Sequence, residues 1–218
     1  MIGVDDVTGE HVDAQLIWDA RKEELQGFAK QEVYTRVPRW KAEQDPQGTF
    51  VGVRWVDRNK GTAEVPDVRS RLVAQEFASK DKEVLFAATP PLGAARALLS
   101  ICASQGRRRA GHHQVMLLDV KKAFLYGQIQ RSVYIELPPE DEGREGGQMM
   151  GLLDKAMYGL RDAPQVWQQE VRRILGGMGY CESKTSPCVY ANPRTEVRIV
   201  TRRRLLVCRA QIQLTTIL

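Results

Sequence analysis

An acidic residue placed directly after an apolar run is the feature of this sequence best suited to chemistry. Val115 to Leu118 form the run, Asp119 ends it, and the pair Lys121 and Lys122 follows. The run predicts a buried strand, because it is too short to cross a membrane. A carboxylate at the end of a buried strand is costly to desolvate unless a cation meets it. A divalent metal ion and a salt bridge to one of the lysines both meet that need.

Two arginines offer a second kind of chemistry. Arg69 and Arg71 lie in a predicted strand, Val68 to Phe77, which returns from a strand over Phe50 to Asp57 around the turn signal Asn59 to Gly61. Residues two apart share one face of a strand. Guanidinium groups bind phosphates through paired hydrogen bonds. The pair therefore predicts either a phosphate site or a solvated basic face.

The bulk composition sets limits on the class of protein. The 218 residues allow one domain or two small ones, and 43% hydrophobic residues exclude a disordered chain. The net charge of +5 is compatible with a polyanionic partner without requiring one. Four cysteines without a CxxC pair argue against a zinc module and predict reduced thiols. With no signal peptide and no long apolar run, the chain is expected to be soluble, in the cytoplasm or nucleus, with no membrane partner.

Periodicity and turn residues predict the remaining elements. A helix is expected from a cap at Asp13 to about Glu32, with Leu16, Ile17, Phe28 and Ala29 on its apolar face. Further predicted elements are a helix over Gly93–Gln105, strands over Ser132–Leu137 and Met149–Leu153, a helix from Pro164 to Gly179, and strands over Pro187–Ala191 and Val197–Val200.

Seven short segments stand in one order along the chain. They are Val53-Arg-Trp-Val56, Arg69-Ser-Arg-Leu-Val-Ala74, Phe86-Ala-Ala-Thr-Pro-Pro91, Leu118-Asp-Val-Lys-Lys-Ala-Phe-Leu-Tyr-Gly127, Val133-Tyr-Ile-Glu-Leu-Pro138, Lys155-Ala-Met-Tyr-Gly-Leu-Arg-Asp-Ala-Pro164 and Cys188-Val-Tyr190. In this order and spacing they resemble the reverse transcriptase of copia-type LTR retrotransposons, over about residues 33–200. Any one segment would be a weak signal, whereas seven in order are specific.

The resemblance implies an α+β fold with the fingers and partial palm of a right-hand polymerase. The sheet is expected to be mainly antiparallel, with helices packed on one face, and to be truncated before the thumb. Residues 1–32 form a lead-in and helix, 33–110 a fingers-like region, 111–200 a partial palm and 201–218 a tail. The implied function is RNA-directed DNA polymerase within a Pol polyprotein. Its partners would be an RNA or DNA template–primer and deoxynucleoside triphosphates, and its location a virus-like particle in the parent family.

The resemblance also implies roles for residues around the reacting groups. Family members use two Mg²⁺ ions to stabilise the attacking and leaving oxygens. Asp119 matches the first catalytic, metal-binding aspartate, and Val120 would add a backbone carbonyl. Phe124 matches the bulky residue that closes the pocket beneath the sugar and excludes a 2′-hydroxyl.

Nucleotide and template contacts are implied for five further residues. Arg69 and Arg71 lie where basic residues of the fingers approach the triphosphate, and Gly159 would permit close backbone approach. Tyr158 and Arg161 match the turn that contacts the template–primer. Asp162 departs from the family, which usually has glutamine there, and an acid near phosphates is unfavourable.

The last segment of the family pattern is missing. A Val-Asp-Asp hairpin is expected soon after Val200, but the chain reads Thr201-Arg-Arg-Arg-Leu-Leu206, and no Asp or Glu follows Glu196. Clustered arginines repel Mg²⁺. One choice of synonymous codons for Thr201 to Leu206, ACA CGT CGA CGA CTT CTT, gives His-Val-Asp-Asp-Phe when it is read one nucleotide later. We therefore hypothesise that the tail from 201 is out of frame; the alternative is a genuine basic strand.

Three functional expectations follow from this loss. The chain as written should have no polymerase activity, because two of three metal aspartates are absent. A sheet without its closing hairpin would have an open edge, which invites aggregation. The alternatives to a polymerase are a nucleic-acid-binding remnant without catalysis, and a pseudogene product without a stable fold.

Overall fold

The structure, a computed structural model, describes residues 2–77, 87–105, 113–201 and 204–210, the last range through its backbone. The chain forms two compact units, each built from two segments. The first unit comprises Met1–Leu85 and Phe124–Val166, and the second Phe86–Ala123 and Trp167–Leu218. The division into fingers-like and palm regions stays a prediction. No helix in the described part of the chain is long and apolar enough to span a membrane.

Mixed helices and antiparallel sheets make up both units, as the α+β prediction requires. The helices are α1 (Ala14–Lys30), α2 (Arg39–Glu43), α3 (Leu92–Gln105) and α4 (Ala163–Gly177), with 3₁₀ turns at Ala123–Tyr126 and Glu142–Gly147. The strands are β1 (Ile2–Val4), β2 (His11–Asp13), β3 (Tyr34–Pro38), β4 (Thr49–Val51), β5 (Val53–Asn59), β6 (Val68–Ala74), β7 (His113–Asp119), β8 (Val133–Glu136), β9 (Met149–Leu153), β10 (Cys181–Glu182), β11 (Val189–Ala191), β12 (Arg198–Thr201) and β13 (Arg204–Ala210).

The first helix begins where its cap predicts. The Asp13 carboxylate accepts a hydrogen bond from the backbone N–H of Gln15 at 2.8 Å, which satisfies one of the free donors of the first turn. Ile17 and Phe28 are buried, as predicted. Leu16 and Ala29 are exposed, so the apolar face is narrower than the sequence predicts.

The predicted hairpin is present, but its first strand is divided at Gly52. β5 pairs antiparallel with β6, whereas β4 pairs parallel with β8 in a four-stranded sheet of order β3-β9-β8-β4. Leu72 and Ala74 of β6 are buried in the main core with Phe28 of α1. The return strand ends at Ala74, three residues before the predicted end.

The second unit contains a five-stranded antiparallel sheet of order β10-β11-β12-β13-β7. Helix α3 packs through Leu98 against Val200 on one face. Val189 pairs with Val200, so the next residue, Tyr190, points to the opposite face. The Tyr190 hydroxyl donates a hydrogen bond to Glu182, which forms an ion pair with Arg172 of α4. Helix α3 therefore packs on this sheet and α4 reaches it through an ion pair, while the packing of helices on one face stays a prediction.

The tail contributes a strand rather than leaving the sheet unfinished. β13 lies between β12 and β7, pairing Thr201 with Leu205 on one side and Asp119 with Arg204 on the other. The sheet therefore continues beyond β12 within the described residues, with β10 and β7 as its edge strands, and truncation before the thumb stays a prediction. Backbone hydrogen bonds form the ladder, so a segment rich in Leu and Val can pair whatever reading frame encoded it.

The strand that ends at Asp119 is present but is not buried as predicted. Val115 is 46% and Leu117 59% exposed, and Asp119 shares their face. Because Asp119 is exposed, its carboxylate stays hydrated, and no cation is needed to offset a cost of burial.

The cysteines depart from the prediction at one position. Cys181 and Cys188 are free thiols, whereas Cys102 of α3 is disulfide-bonded. The expectation of reduced thiols is therefore wrong for Cys102. Burial raises the pKa of the Cys188 thiol, which lies 3.2 Å from the carbonyl oxygen of Ala88.

Candidate functional site

A tight turn in the first unit is fixed on the end of β6. The backbone N–H of Ala74 donates a 2.7 Å hydrogen bond to the carbonyl of Tyr158. Gly159 follows with φ +87°, and a Cβ atom there would lie 1.9 Å from the carbonyl oxygen of Ala74. Only glycine fits both the left-handed backbone and the close approach. The close approach is to β6, and the predicted approach of Gly159 to a nucleotide stays a prediction.

Tyr158 lies between a cation and a second aromatic ring. The Arg71 guanidinium carbon is 5.6 Å from the Tyr158 ring centroid, and the Phe124 ring meets Tyr158 edge-on at 5.3 Å. Both arrangements are attractive because the ring face is electron-rich and the ring edge is not. Four residues that the sequence selected from three separate segments, Arg71, Phe124, Tyr158 and Gly159, are therefore brought together in one unit.

Arg69 is not part of this cluster. Its guanidinium group pairs with Asp67 at 3.0 Å near the tip of the hairpin, and its side chain is 60% exposed. The sequence could not choose between Arg69 and Arg71 as the phosphate-binding residue. The structure brings Arg71 to the aromatic pair and leaves Arg69 beside an acid.

The outer face of the β5–β6 hairpin carries more arginines than the sequence analysis selected. The register sets Arg58 opposite Arg69 and Val56 opposite Arg71, so Arg54 and Arg58 share the exposed face with the two predicted residues. Like charges directly opposite each other destabilise a sheet. The alternation of charged and apolar residues along β5 was the signal that could have found Arg54 and Arg58.

An ion-pair cluster that the sequence did not reveal holds the far side of the turn. Arg131 bonds to both oxygens of Glu76 at 2.7 and 2.9 Å, and to both oxygens of Asp162 at 2.8 and 3.0 Å. The backbone N–H of Arg161 also donates to Glu76 at 3.0 Å. Asp162, the departure from the family pattern, is therefore matched by a cation.

The pKa shifts in this cluster follow from its hydrogen bonds. Hydrogen bonding to Asp162 raises the pKa of Arg131 above its ordinary value, outweighing the opposite effect of burial. Burial alone would raise the pKa of Glu76, but hydrogen bonds from Arg131 and from the Arg161 backbone lower it overall. The Arg131 and Glu76 side chains are therefore both charged at neutral pH.

A separate depression in the first unit holds none of the predicted site residues. It has a volume of about 900 Å³ and lies beside α1, with Lys22, Tyr34, Asp141, Asp154 and Lys155 among its lining residues. Its lining mixes acids and bases. The depression therefore offers no consistent charge for a phosphate-bearing ligand.

The second unit holds the two residues predicted to bind metal. Asp119 is the last residue of β7 and is exposed, and Val120 follows it outside the strand. In the antiparallel ladder the residue directly opposite Asp119 is Arg204. Among the described residues, no group of three or more His, Cys, Asp or Glu could hold a metal ion. One carboxylate paired in register with an arginine does not fit Mg²⁺, which prefers several oxygen ligands.

Comparison with known families decides the identity. A profile described as reverse transcriptase (RNA-dependent DNA polymerase) matches residues 33–205. The chain belongs to this reverse transcriptase family. The match covers both units' predicted site residues and ends one residue after Arg204, within the tail.

Individual relatives of this chain come from transposons. It is 28% identical over 185 residues, 83% of this chain, to the "Retrovirus-related Pol polyprotein from transposon TNT 1-94" of Nicotiana tabacum. It is 27% identical over 68% of the chain to that from transposon RE2, and 26% over 67% to that from RE1, both of Arabidopsis thaliana. The matches cover 13%, 10% and 10% of those relatives. The resemblance to copia-type reverse transcriptases is confirmed, and the chain spans about a tenth of the relatives' length.

Proposed function

We propose that the chain supplies the fingers and part of the palm of a copia-type RNA-directed DNA polymerase, and that it has no polymerase activity with its present residues 201–204. The observation that carries the second part is the pairing of Asp119 with Arg204 in the ladder between β7 and β13. The position across from the one predicted metal ligand carries a cation. A divalent ion is repelled there rather than held.

The first unit supplies the proposed substrate contacts. Arg71 would pair with the triphosphate, since its guanidinium group lies on an exposed strand face. Phe124 would close the pocket beneath the sugar, and its edge-on contact with Tyr158 fixes the ring for that task. Tyr158 and Arg161 would contact the template–primer. Asp119 and Val120 keep their proposed role as the remaining part of the metal site.

The strand register supports the frameshift hypothesis. With the synonymous codons that permit the shift, residues 201–205 would read His-Val-Asp-Asp-Phe one nucleotide later, which would place aspartates at positions 203 and 204. Position 204 is directly opposite Asp119. Opposed residues in an antiparallel pair have Cβ atoms about 5 Å apart, close enough for two carboxylates to share one cation. The shifted frame would thus place a second carboxylate directly opposite Asp119, where a metal site needs one.

Primer extension tests the proposal. The unchanged chain should not extend a labelled primer on an RNA template in the presence of Mg²⁺, and extension that D119N abolishes would refute the proposed inactivity. Mn²⁺ binding, measured by electron paramagnetic resonance, tests the register argument independently. R203D/R204D should gain Mn²⁺ binding that R203N/R204N lacks. Equal Mn²⁺ binding by both variants would contradict the placement of the second carboxylate.

Nucleic-acid binding without catalysis is a second candidate. The observation that favours it is the exposed hairpin face with Arg54, Arg58, Arg69 and Arg71. Binding of nucleic acid to such a face releases counterions from the phosphates. The affinity falls as the salt concentration rises, because this release then contributes less free energy. Fluorescence anisotropy with a labelled primer–template between 50 and 200 mM salt should show a loss of affinity of about 40-fold for three phosphate contacts and about 150-fold for four. An affinity that does not change with salt concentration would exclude this candidate.

The pseudogene product is tested separately by thermal unfolding. The absence of a cooperative thermal melt would favour it.

A further inference from the structure

We infer that Arg131 is a positioning residue that holds the turn of Tyr158 and Arg161 in its site conformation. Nothing in the family pattern assigns this role. The inference rests on the proposed function for the substrates that the turn would meet. The geometry that carries it lies wholly within the first unit.

The contacts of Arg131 join two parts of the chain that are distant in sequence. Its guanidinium group makes two hydrogen bonds to Glu76, just beyond β6, and two to Asp162, at the start of α4. The planar fork of arginine suits two carboxylates at once, which lysine cannot match. The side chain of Glu76 is 5% exposed and that of Asp162 13% exposed, so the charge of Arg131 offsets part of the cost of burying both carboxylates.

The turn between these contacts carries the proposed site residues. Ala74 binds the carbonyl of Tyr158 at one end, and Glu76 binds the N–H of Arg161 at the other. Arg131 bonds both oxygens of the Glu76 carboxylate and so orients the oxygen that accepts this N–H. Loss of Arg131 would therefore release Arg161 first and weaken the hold on Tyr158.

Asp162 gains a function in this arrangement. A carboxylate near bound phosphates is unfavourable by itself, but Arg131 neutralises Asp162 and uses it as an anchor. With Glu76, Arg131 and Asp162 charged, the cluster carries one net negative charge. Exchange of the charges between positions 131 and 162 would keep that total and leave one cation among two carboxylates.

Arg21 provides a matched control within the same unit. It also bridges two buried carboxylates, Asp57 at 2.6 Å and Glu140 at 2.7 Å, but it has no contact with the 158–162 turn. R21M and R131M therefore remove comparable interactions at different places. Any difference between them reports position rather than general loss of stability.

The experiment compares R131M, R131K, R131E, R131E/D162R and R21M by amide hydrogen exchange. R131M should accelerate exchange of the Arg161 amide about tenfold or more, and R21M should leave it within about twofold after correction for global stability. R131K should lie between the unchanged chain and R131M. R131E should be the worst variant, and R131E/D162R should recover most of the protection. Equal protection of Arg161 in R131M and R21M would overturn the inference, as would the absence of recovery in R131E/D162R.

Binding separates this inference from the proposed function. If the unchanged chain binds a labelled primer–template, R131M should lose affinity and R131E/D162R should recover it, while R21M stays near the unchanged chain. If the unchanged chain does not bind the primer–template, the proposed function fails. The exchange of the Arg161 amide then still decides whether Arg131 positions the turn.

Discussion

The guanidinium group of Arg71 lies over the ring of Tyr158, 5.6 Å from its centroid, although 87 residues separate them in the sequence. The contact links the arginine face of the hairpin to the turn at Gly159. An arginine held over a ring keeps its charge while losing little further freedom when it meets a phosphate. This relationship distinguishes Arg71 from Arg69, which pairs with Asp67 instead.

Substitution of Arg71 should therefore weaken phosphate binding more than substitution of Arg69. R71Q should lower the affinity for a primer–template and reduce the slope of log affinity against log salt by about 1, the value for one lost phosphate contact. R69Q removes the same charge from the same face and serves as control. Fluorescence anisotropy at four salt concentrations measures both. Equal losses in R71Q and R69Q would show that the face acts only through its total charge.

Replacement of Gly159 by any residue with a side chain should destabilise the protein. G159A places a Cβ atom 1.9 Å from the Ala74 carbonyl oxygen at a φ of +87°, so the turn must move or strain. We expect a loss of about 2 kcal/mol or more in the free energy of unfolding. Gly176, in the last turn of α4, has no atom within 4 Å of an added Cβ. G176A should be neutral or stabilise by up to about 1 kcal/mol, because alanine favours a helix. Urea denaturation measures both, and a G159A variant as stable as G176A would contradict the geometry.

Local patterns predicted several elements with accurate bounds. The strand Met149–Leu153 is found with the predicted ends, because a short apolar run lies between glycine-rich and polar residues. The cap at Asp13 also lies where its side-chain chemistry requires. Of the site, the sequence selected Arg71, Phe124, Tyr158 and Gly159, since they belong to a motif pattern. Their mutual contacts could not be predicted from any one segment.

The features that the sequence did not predict depend on contacts between residues distant in the chain. Gly52 divides the first hairpin strand because β4 finds a parallel partner in β8, over 80 residues later. Arg131 meets partners 55 and 31 residues away, and no local pattern marks such a residue. β13 was predicted only as the alternative to an out-of-frame tail, because the side-chain charges were weighed and the backbone supplies the pairing.

The carboxylate of Asp5 should make folding sensitive to acid. It accepts hydrogen bonds from the N–H groups of Thr8, Val7 and Asn59, which lower its pKa although burial opposes the change. A group with a lowered folded-state pKa stabilises the fold fully above its unfolded value, about 3.9 for aspartate, and this stability is lost as the pH falls through the folded value. D5N should lower Tm at pH 7 and make Tm less dependent on pH below about 4. D13N is the control, because Asp13 caps a helix and an asparagine caps equally well. Parallel curves of Tm against pH for the unchanged chain and D5N would contradict this role.

The nucleotides that encode the tail should preserve the lost aspartates in another frame. Position 204 lies directly across the ladder from Asp119, so a catalytic carboxylate at 204 would have the partner that the family requires. Genomic DNA and transcript should be sequenced across codons 195 to 218. We expect the frame one nucleotide later to encode Val-Asp-Asp at positions 202–204 and then to remain open. A transcript in that frame would show that the arginines at 202–204 result from a frameshift. R203D/R204D would then restore the ancestral aspartates. A shifted frame without the two aspartate codons would make the basic strand genuine, and the exposed arginine face would then be the better guide to function.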